Sequence, residues 1–134
     1  MIKKINHVGI ALKDLDKAVQ FFEDTFGAKL LWRMTFEGQK MESALISMGE
    51  AQFELSRSLD PSGVIGKFIE MRGEGIHHIS LEVENLDQAL KEFEQKGLRV
   101  VGKVASGGLK VAFLHPKEVF GILFEIIEVP SSEG

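Results

Sequence analysis

Two histidines and two glutamates recur at the same spacing in this chain. His7 and His78 lie 71 positions apart, and the same interval separates Glu54 from Glu125. Imidazole nitrogens and carboxylate oxygens are ordinary protein ligands of divalent transition metals. If the segments that carry them fold alike, the four side chains are expected to converge on one divalent-metal site.

The sequence around these residues repeats at the same interval, which indicates two similar modules. Ile5–Ile10 (INHVGI) returns as Ile76–Leu81 (IHHISL), and Phe53–Leu55 (FEL) returns as Phe124–Ile126 (FEI). We expect the two copies to pair about a pseudo-twofold axis, because each carries the same pattern of apolar and polar positions.

Each copy is predicted to contain one strand, one helix and three further strands. In the first copy the strand covers 5–12, the helix runs from the N-cap Asp14 to Phe26, and strands lie near 29–36, 41–48 and 51–56. In the second copy the strand covers 76–83, the helix runs from the N-cap Asn85 to about Lys96, and strands lie near 98–104, 109–115 and 122–129. A turn is predicted at Ser106–Gly108, and a flexible end at Ser131–Gly134.

These elements predict an α+β fold of two tandem βαβββ modules that form one curved mixed sheet around a metal-binding cleft. We expect a single domain over residues 1–134. Its first module covers about 3–58, a connecting helix covers about 60–73, and the second module covers about 74–130.

Strand alternation predicts which face of the sheet carries the candidate ligands. Side chains alternate between the two faces, so the large aliphatic residues beside each histidine are expected to pack on the helix. His7 and His78 then point to the opposite face. The same reasoning places Glu54 and Glu125 on that face, since their apolar neighbours pack on the helix.

Composition excludes other classes of function. A net charge of −4 and the absence of any Lys/Arg run argue against nucleic-acid binding. The apolar stretch 119–127 is too short to span a membrane, and the N-terminal residues leave no room for a signal peptide. With no cysteine, thiolate ligands and disulfides are excluded. We expect a cytoplasmic protein without membrane or nucleic-acid partners.

The ordered set of motifs resembles the methylmalonyl-CoA epimerases of the vicinal oxygen chelate (glyoxalase/bleomycin resistance/dioxygenase) superfamily. The stretches that carry it are His7–Ala11, Gly66–Ile69, Arg72–His78, Val111–Lys117 and Gly121–Glu125. The resemblance implies interconversion of (R)- and (S)-methylmalonyl-CoA, an acyl-CoA substrate and a homodimer. It also implies one divalent ion per chain bound by His7, Glu54, His78 and Glu125. Co²⁺ is favoured by the resemblance, and Mn²⁺, Ni²⁺ and Zn²⁺ remain open.

Epimerisation needs a proton-transfer group on each face of the substrate, or one mobile base. The resemblance assigns one such role to Glu125. The second Glu of the family motif falls on Ser43, and its neighbour Glu42 is expected on the opposite face of the strand unless a bulge turns it. Glu42 is therefore a candidate base, and Ser43 with a bound water or a mobile Glu54 are the alternatives.

Other functions stay open at this point. A glyoxalase-type isomerase or lyase acting on a thiol adduct would need the same metal. An extradiol dioxygenase would use His, His and Glu on Fe²⁺. A metal-free binding protein of the same fold would use none of these ligands, and each histidine taken alone could be a structural one.

Overall fold

The computed structural model describes residues 1–106 and 109–130. The predicted turn at Gly107 and Gly108 and the predicted flexible end at 131–134 lie outside the described residues. The chain divides into two compact units. The first unit is His7–His77. The second unit comprises Met1–Asn6 and the chain from His78 onward.

The elements follow the predicted order in both copies. In the first copy they are β1 (Ile2–Ala11), α1 (Leu15–Phe26), β2 (Lys29–Phe36), β3 (Met41–Met48) and β4 (Ala51–Ser58). A connecting helix α2 (Val64–Arg72) follows. The second copy contains β5 (Gly75–Val83), α3 (Leu86–Gln95), β6 (Val100–Ser106), β7 (Leu109–Leu114) and β8 (Phe124–Glu128), with a 3₁₀ turn at Pro116–Glu118. The α+β class and the two βαβββ modules are confirmed.

In the first unit the strand order is β2-β3-β4-β1. β1 runs parallel to β4, whereas β3 runs antiparallel to both of its neighbours, so the pairing is mixed. Helix α1 packs on one face of these strands. The core there contains Leu12, Leu15, Val19, Ala28, Ala44, Ile46 and Leu55.

The second unit repeats this arrangement. β5 runs parallel to β8, β7 lies antiparallel to β8, and β6 lies antiparallel to β7. Its core contains Val83, Leu86, Ala89, Leu90, Ala112, Leu114 and Ile126. The beginning of β1 belongs to this unit, where Asn6 donates a 2.9 Å hydrogen bond to Glu82.

The predicted starts of α1 and α3 and the predicted end of α1 are confirmed, whereas the connecting helix begins only at Val64. The Asp14 side chain accepts a hydrogen bond from the backbone N–H of Lys17, and Asn85 accepts one in the same way from Gln88. Gly27 ends α1 in the left-handed conformation, with φ of 68°. These caps fix where each helix starts after the strand that carries a histidine.

The 71-residue interval does not hold through the middle of the modules. Leu45 pairs with Glu54, whereas Phe113 pairs with Glu125, so these equivalent β3 and β7 positions lie only 68 residues apart. The connection from β2 to β3 covers 37–40, but β6 and β7 are separated only by 107–108. The longer β7–β8 connection, with its 3₁₀ turn, restores the interval before Glu125.

The connecting helix packs closely on the chain that precedes it. A Cβ atom on Gly66 would lie 2.8 Å from Ser58 Oγ and 2.9 Å from Pro61 Cα, so this position has no room for a side chain. Ile65 is buried, and Phe68 contacts the His77 ring edge-to-face. His77 therefore packs against the connecting helix. In the described part of the chain, no helix is both long and apolar enough to cross a membrane.

Candidate functional site

The first unit brings His7 and Glu54 together, and we call this pair the first half-site. His7 lies on β1 and Glu54 on the parallel strand β4, whose register pairs Gly9 with Glu54. Ile10 and Phe53 pack toward the α1 core, so alternation turns His7 and Glu54 to the other face. The His7 Nε2 atom lies 3.9 Å from Glu54 Oε1.

Burial sets the protonation state of the first histidine. The His7 side chain is only 7% exposed, and this desolvation lowers the pKa of its imidazole to about 4. The ring is therefore neutral at pH 7, because the charged form is penalised in a buried environment. A neutral imidazole is the form that binds a metal ion.

The second unit brings His78 and Glu125 together as the second half-site. The register of β5 and β8 pairs Ser80 with Glu125, which is the counterpart of Gly9 and Glu54. His78 Nε2 lies 3.9 Å from Glu125 Oε2. The Ser80 hydroxyl donates a 2.8 Å hydrogen bond to the other carboxylate oxygen, Oε1. Both half-sites therefore place an imidazole and a carboxylate at the same separation on parallel strands.

The Glu125 carboxylate lies in a strongly desolvated position. Burial raises the pKa of its carboxyl to about 7, while the hydrogen bond from Ser80 acts in the opposite direction. A buried carboxylate is costly to ionise unless a cation or hydrogen-bond donors compensate it. The imidazole and carboxylate of each half-site are donor types that suit a divalent cation better than an apolar ligand.

The structure places Glu42 away from the face that carries Glu54. Its carboxylate accepts 2.7 Å hydrogen bonds from Arg33 on β2 and from Arg57 on β4, and Arg33 also contacts Asp16 on α1. The two arginines hold the pKa of Glu42 below its usual range. These contacts lie on the helix side of the strands, as alternation predicted, and the catalytic role of Glu42 stays a prediction.

The neighbouring Ser43 has the opposite orientation. Its hydroxyl lies 2.6 Å from that of Ser56, and both side chains are buried. Ser56 is two residues after Glu54 on β4, so Ser43 and Ser56 share the face of the first half-site. The position expected for a second Glu therefore carries a buried hydroxyl pair.

Two contacts around the second half-site are not evident from the sequence alone. One is the Ser80–Glu125 hydrogen bond, and the other is the edge-to-face packing of His78 on Phe113. Alternation shows that Ser80 shares the face of His78, but the partner depends on the register of β5 against β8. That register joins residues far apart in the chain, and no local pattern fixes it.

The chain is similar to known proteins over almost its full length. The sequence profile of the glyoxalase/bleomycin resistance protein/dioxygenase superfamily matches residues 6–113. The chain belongs to this superfamily. It is 34% identical to the ethylmalonyl-CoA/methylmalonyl-CoA epimerase of Cereibacter sphaeroides, a match that covers 96% of this chain and 100% of that protein.

Solved structures of superfamily members are similar over almost the full length. The Mycobacterium tuberculosis methylmalonyl-CoA epimerase has a TM-score of 0.91 and 32% identity, covering 98% of this chain and 91% of that chain. A single-substitution variant of the Streptomyces coelicolor methylmalonyl-CoA epimerase, in complex with 2-nitronate-propionyl-CoA, has a TM-score of 0.90 and 27% identity, covering 98% of this chain and 100% of that chain. Within the superfamily, this chain is a methylmalonyl-CoA epimerase-like enzyme, which confirms the resemblance seen in the sequence.

Proposed function

We propose that this enzyme interconverts the two epimers of methylmalonyl-CoA by removing and returning the proton at C2. The observation that carries the proposal is the repeated His–Glu pair. Each unit presents an imidazole and a carboxylate 3.9 Å apart on parallel strands, in a chain similar to methylmalonyl-CoA epimerases over its length.

We further propose that His7, Glu54, His78 and Glu125 bind one divalent metal ion, with Co²⁺ favoured by the resemblance. His7, Glu54 and His78 have the donor types and burial suited to such an ion. The neutral state of His7 and the burial of Glu125 support the same assignment. When bound, a divalent ion supplies positive charge that stabilises negative charge developing on a substrate oxygen.

The positions of the side chains suggest a role for each of them in the reaction. The two histidines would hold the ion, and the buried surroundings of Glu125 keep bulk water away from its carboxylate. Glu125 is assigned the removal of the C2 proton on one face of the substrate, a role implied by the family resemblance, and inversion requires the proton to be returned on the opposite face. General base catalysis of this kind contributes roughly 10²- to 10⁴-fold to a rate.

The second proton-transfer group remains a prediction with three candidates. Glu42 is held by two arginines on the helix side, so its use as a base would require those ion pairs to break. Ser43 is buried against Ser56 and would act through a bound water. Glu54 would have to alternate between metal ligand and base. The homodimer and the cytoplasmic location also remain predictions.

An epimerase assay tests the proposed function. Purified protein is stripped with a chelator, reloaded with Co²⁺, Mn²⁺, Ni²⁺ or Zn²⁺, and given a single epimer of methylmalonyl-CoA. We expect the other epimer to form only in the metal-loaded samples. Turnover of a hemithioacetal thiol adduct, with none of methylmalonyl-CoA, would instead show the glyoxalase-type function, and no turnover together with no metal binding would indicate a binding protein.

A further inference from the structure

The two oxygens of the Glu125 carboxylate have different surroundings. Oε1 accepts the 2.8 Å hydrogen bond from Ser80 Oγ, whereas Oε2 lies 3.9 Å from His78 Nε2. Ser80 is fully buried on β5, and its backbone is paired in register with Glu125 on β8. The hydrogen bond from Ser80 on β5 thus helps to fix the orientation of the Glu125 carboxylate on β8.

A hydrogen bond of this kind restricts a flexible side chain. The distance lies in the usual range for a hydroxyl donor and a carboxylate acceptor, and bonds to ionised acceptors are stronger than neutral ones. Because Ser80 cannot move away into solvent, its hydroxyl limits the rotation of the carboxylate about its terminal bond. One carboxylate oxygen is then held at Ser80 while the other lies beside His78, so the plane of the carboxylate is fixed.

The first half-site has no side-chain hydroxyl at the position that corresponds to Ser80. Gly9 is paired with Glu54 in the same register that pairs Ser80 with Glu125, and glycine has no side chain to donate. The hydroxyl is therefore not a requirement of the repeated strand pair. It is a specific feature of the half-site that contains Glu125.

We propose that Ser80 is a positioning residue for Glu125, holding one carboxylate oxygen so that the other is offered to a divalent ion beside His78. This inference rests on the proposed metal site. Partners of this type commonly change metal affinity or activity 10- to 100-fold when they are removed. Ser80 would act through Glu125 and does not itself contact the ion.

The test compares Co²⁺ binding by the wild-type chain, Ser80→Ala, Ser80→Thr and Ser56→Ala. Calorimetric titration gives the affinity, visible absorption reports the coordination of bound Co²⁺, and circular dichroism verifies that each variant is folded at the titration temperature. Ser56→Ala is the matched control, because it removes a buried hydroxyl that is bonded to Ser43 and not to a proposed ligand.

We expect Ser80→Ala to bind Co²⁺ roughly 10- to 100-fold more weakly, with an altered absorption spectrum. Ser80→Thr, which keeps a hydroxyl, should bind Co²⁺ more tightly than Ser80→Ala, and Ser56→Ala should bind as the wild type does. Wild-type affinity and spectrum in Ser80→Ala would overturn the role of Ser80. An equal loss in Ser56→Ala would also overturn it, by showing a general packing effect. No binding by the wild-type chain would instead refute the metal site itself.

Discussion

The hydroxyl of Ser43 lies 2.6 Å from the hydroxyl of Ser56, at the position where the family resemblance leads one to expect a glutamate. Ser43 is completely buried and Ser56 is 3% exposed. Removing one member leaves the other without this partner in a buried setting. We expect Ser43→Ala and Ser56→Ala each to lower the free energy of unfolding by about 1–3 kcal/mol.

Chemical denaturation measures both single variants and the double variant. The second substitution should cost less than it does alone, because the shared hydrogen bond is lost only once. Strictly additive losses would show that the two hydroxyls do not act as a pair.

Replacing either histidine should remove the metal without unfolding the chain. His7→Ala and His78→Ala each delete one imidazole from a half-site but leave the two cores intact. Metal analysis after gel filtration should show near-complete loss of bound Co²⁺ in both variants. His115→Ala is the control, since His115 lies at the start of the partly exposed 3₁₀ turn, where it accepts a hydrogen bond from the backbone N–H of Lys117. Normal stoichiometry in both variants would refute the assignment.

The Glu125 carboxylate should matter far more than an acidic group on a helix surface. Glu125→Gln keeps the size of the side chain but removes its charge and basicity. We expect a loss of activity on the order of 10²-fold or more, from the usual contribution of a positioned base. Glu23→Gln on α1 should leave activity unchanged, as Glu23 is exposed. Similar activities in the two variants would exclude Glu125 from the mechanism.

The ion pairs of Glu42 should give a pH-dependent contribution to stability. Two hydrogen bonds, the one from Arg33 having the larger effect and the one from Arg57 the smaller, hold the folded-state pKa of Glu42 below its ordinary value of 4.5. Since the folded pKa is the lower one, the contribution is complete above the unfolded value and is lost as pH falls through the folded pKa. In Glu42→Gln this part of the acid dependence should disappear.

The size of this effect is expected to be modest. The arginine side chains are 32% and 39% exposed, and partly exposed ion pairs are typically worth about 1 kcal/mol or less. Denaturation of the wild type and of Glu42→Gln at pH 3, 4, 5 and 7 provides the measurement. Parallel plots of the free energy of unfolding against pH would show that Glu42 makes no such contribution.

The activity of Glu42→Gln tests the predicted role of Glu42 as a base. Unchanged epimerisation by this variant would contradict that role.

Local patterns predicted much of the fold and the two half-sites. Alternation placed His7 and Glu54, and likewise His78 and Glu125, on the side of each strand away from its helix, because their apolar neighbours had to pack on the helix. The caps Asp14 and Asn85 marked the starts of helices α1 and α3, since side-chain oxygens at these positions bond the first-turn N–H groups.

Contacts that depend on strand register were not predictable in the same way. The bond between Ser80 and Glu125 joins strands separated by 45 positions in the chain. The contacts of Glu42 with Arg33 and Arg57 require the register of three strands at once. The shorter β6–β7 connection in the second copy also changes the interval between β3 and β7, which a constant repeat does not reveal.

Solvent deuterium incorporation at C2 of methylmalonyl-CoA tests the central claim most directly. One epimer is incubated in D₂O with protein that has been stripped and then reloaded with Co²⁺ or Mn²⁺, and both deuterium content and configuration are followed. We predict metal-dependent exchange accompanied by inversion. Exchange with retained configuration would mean that only one face has a competent base. No exchange with any divalent metal would contradict the proposed epimerase.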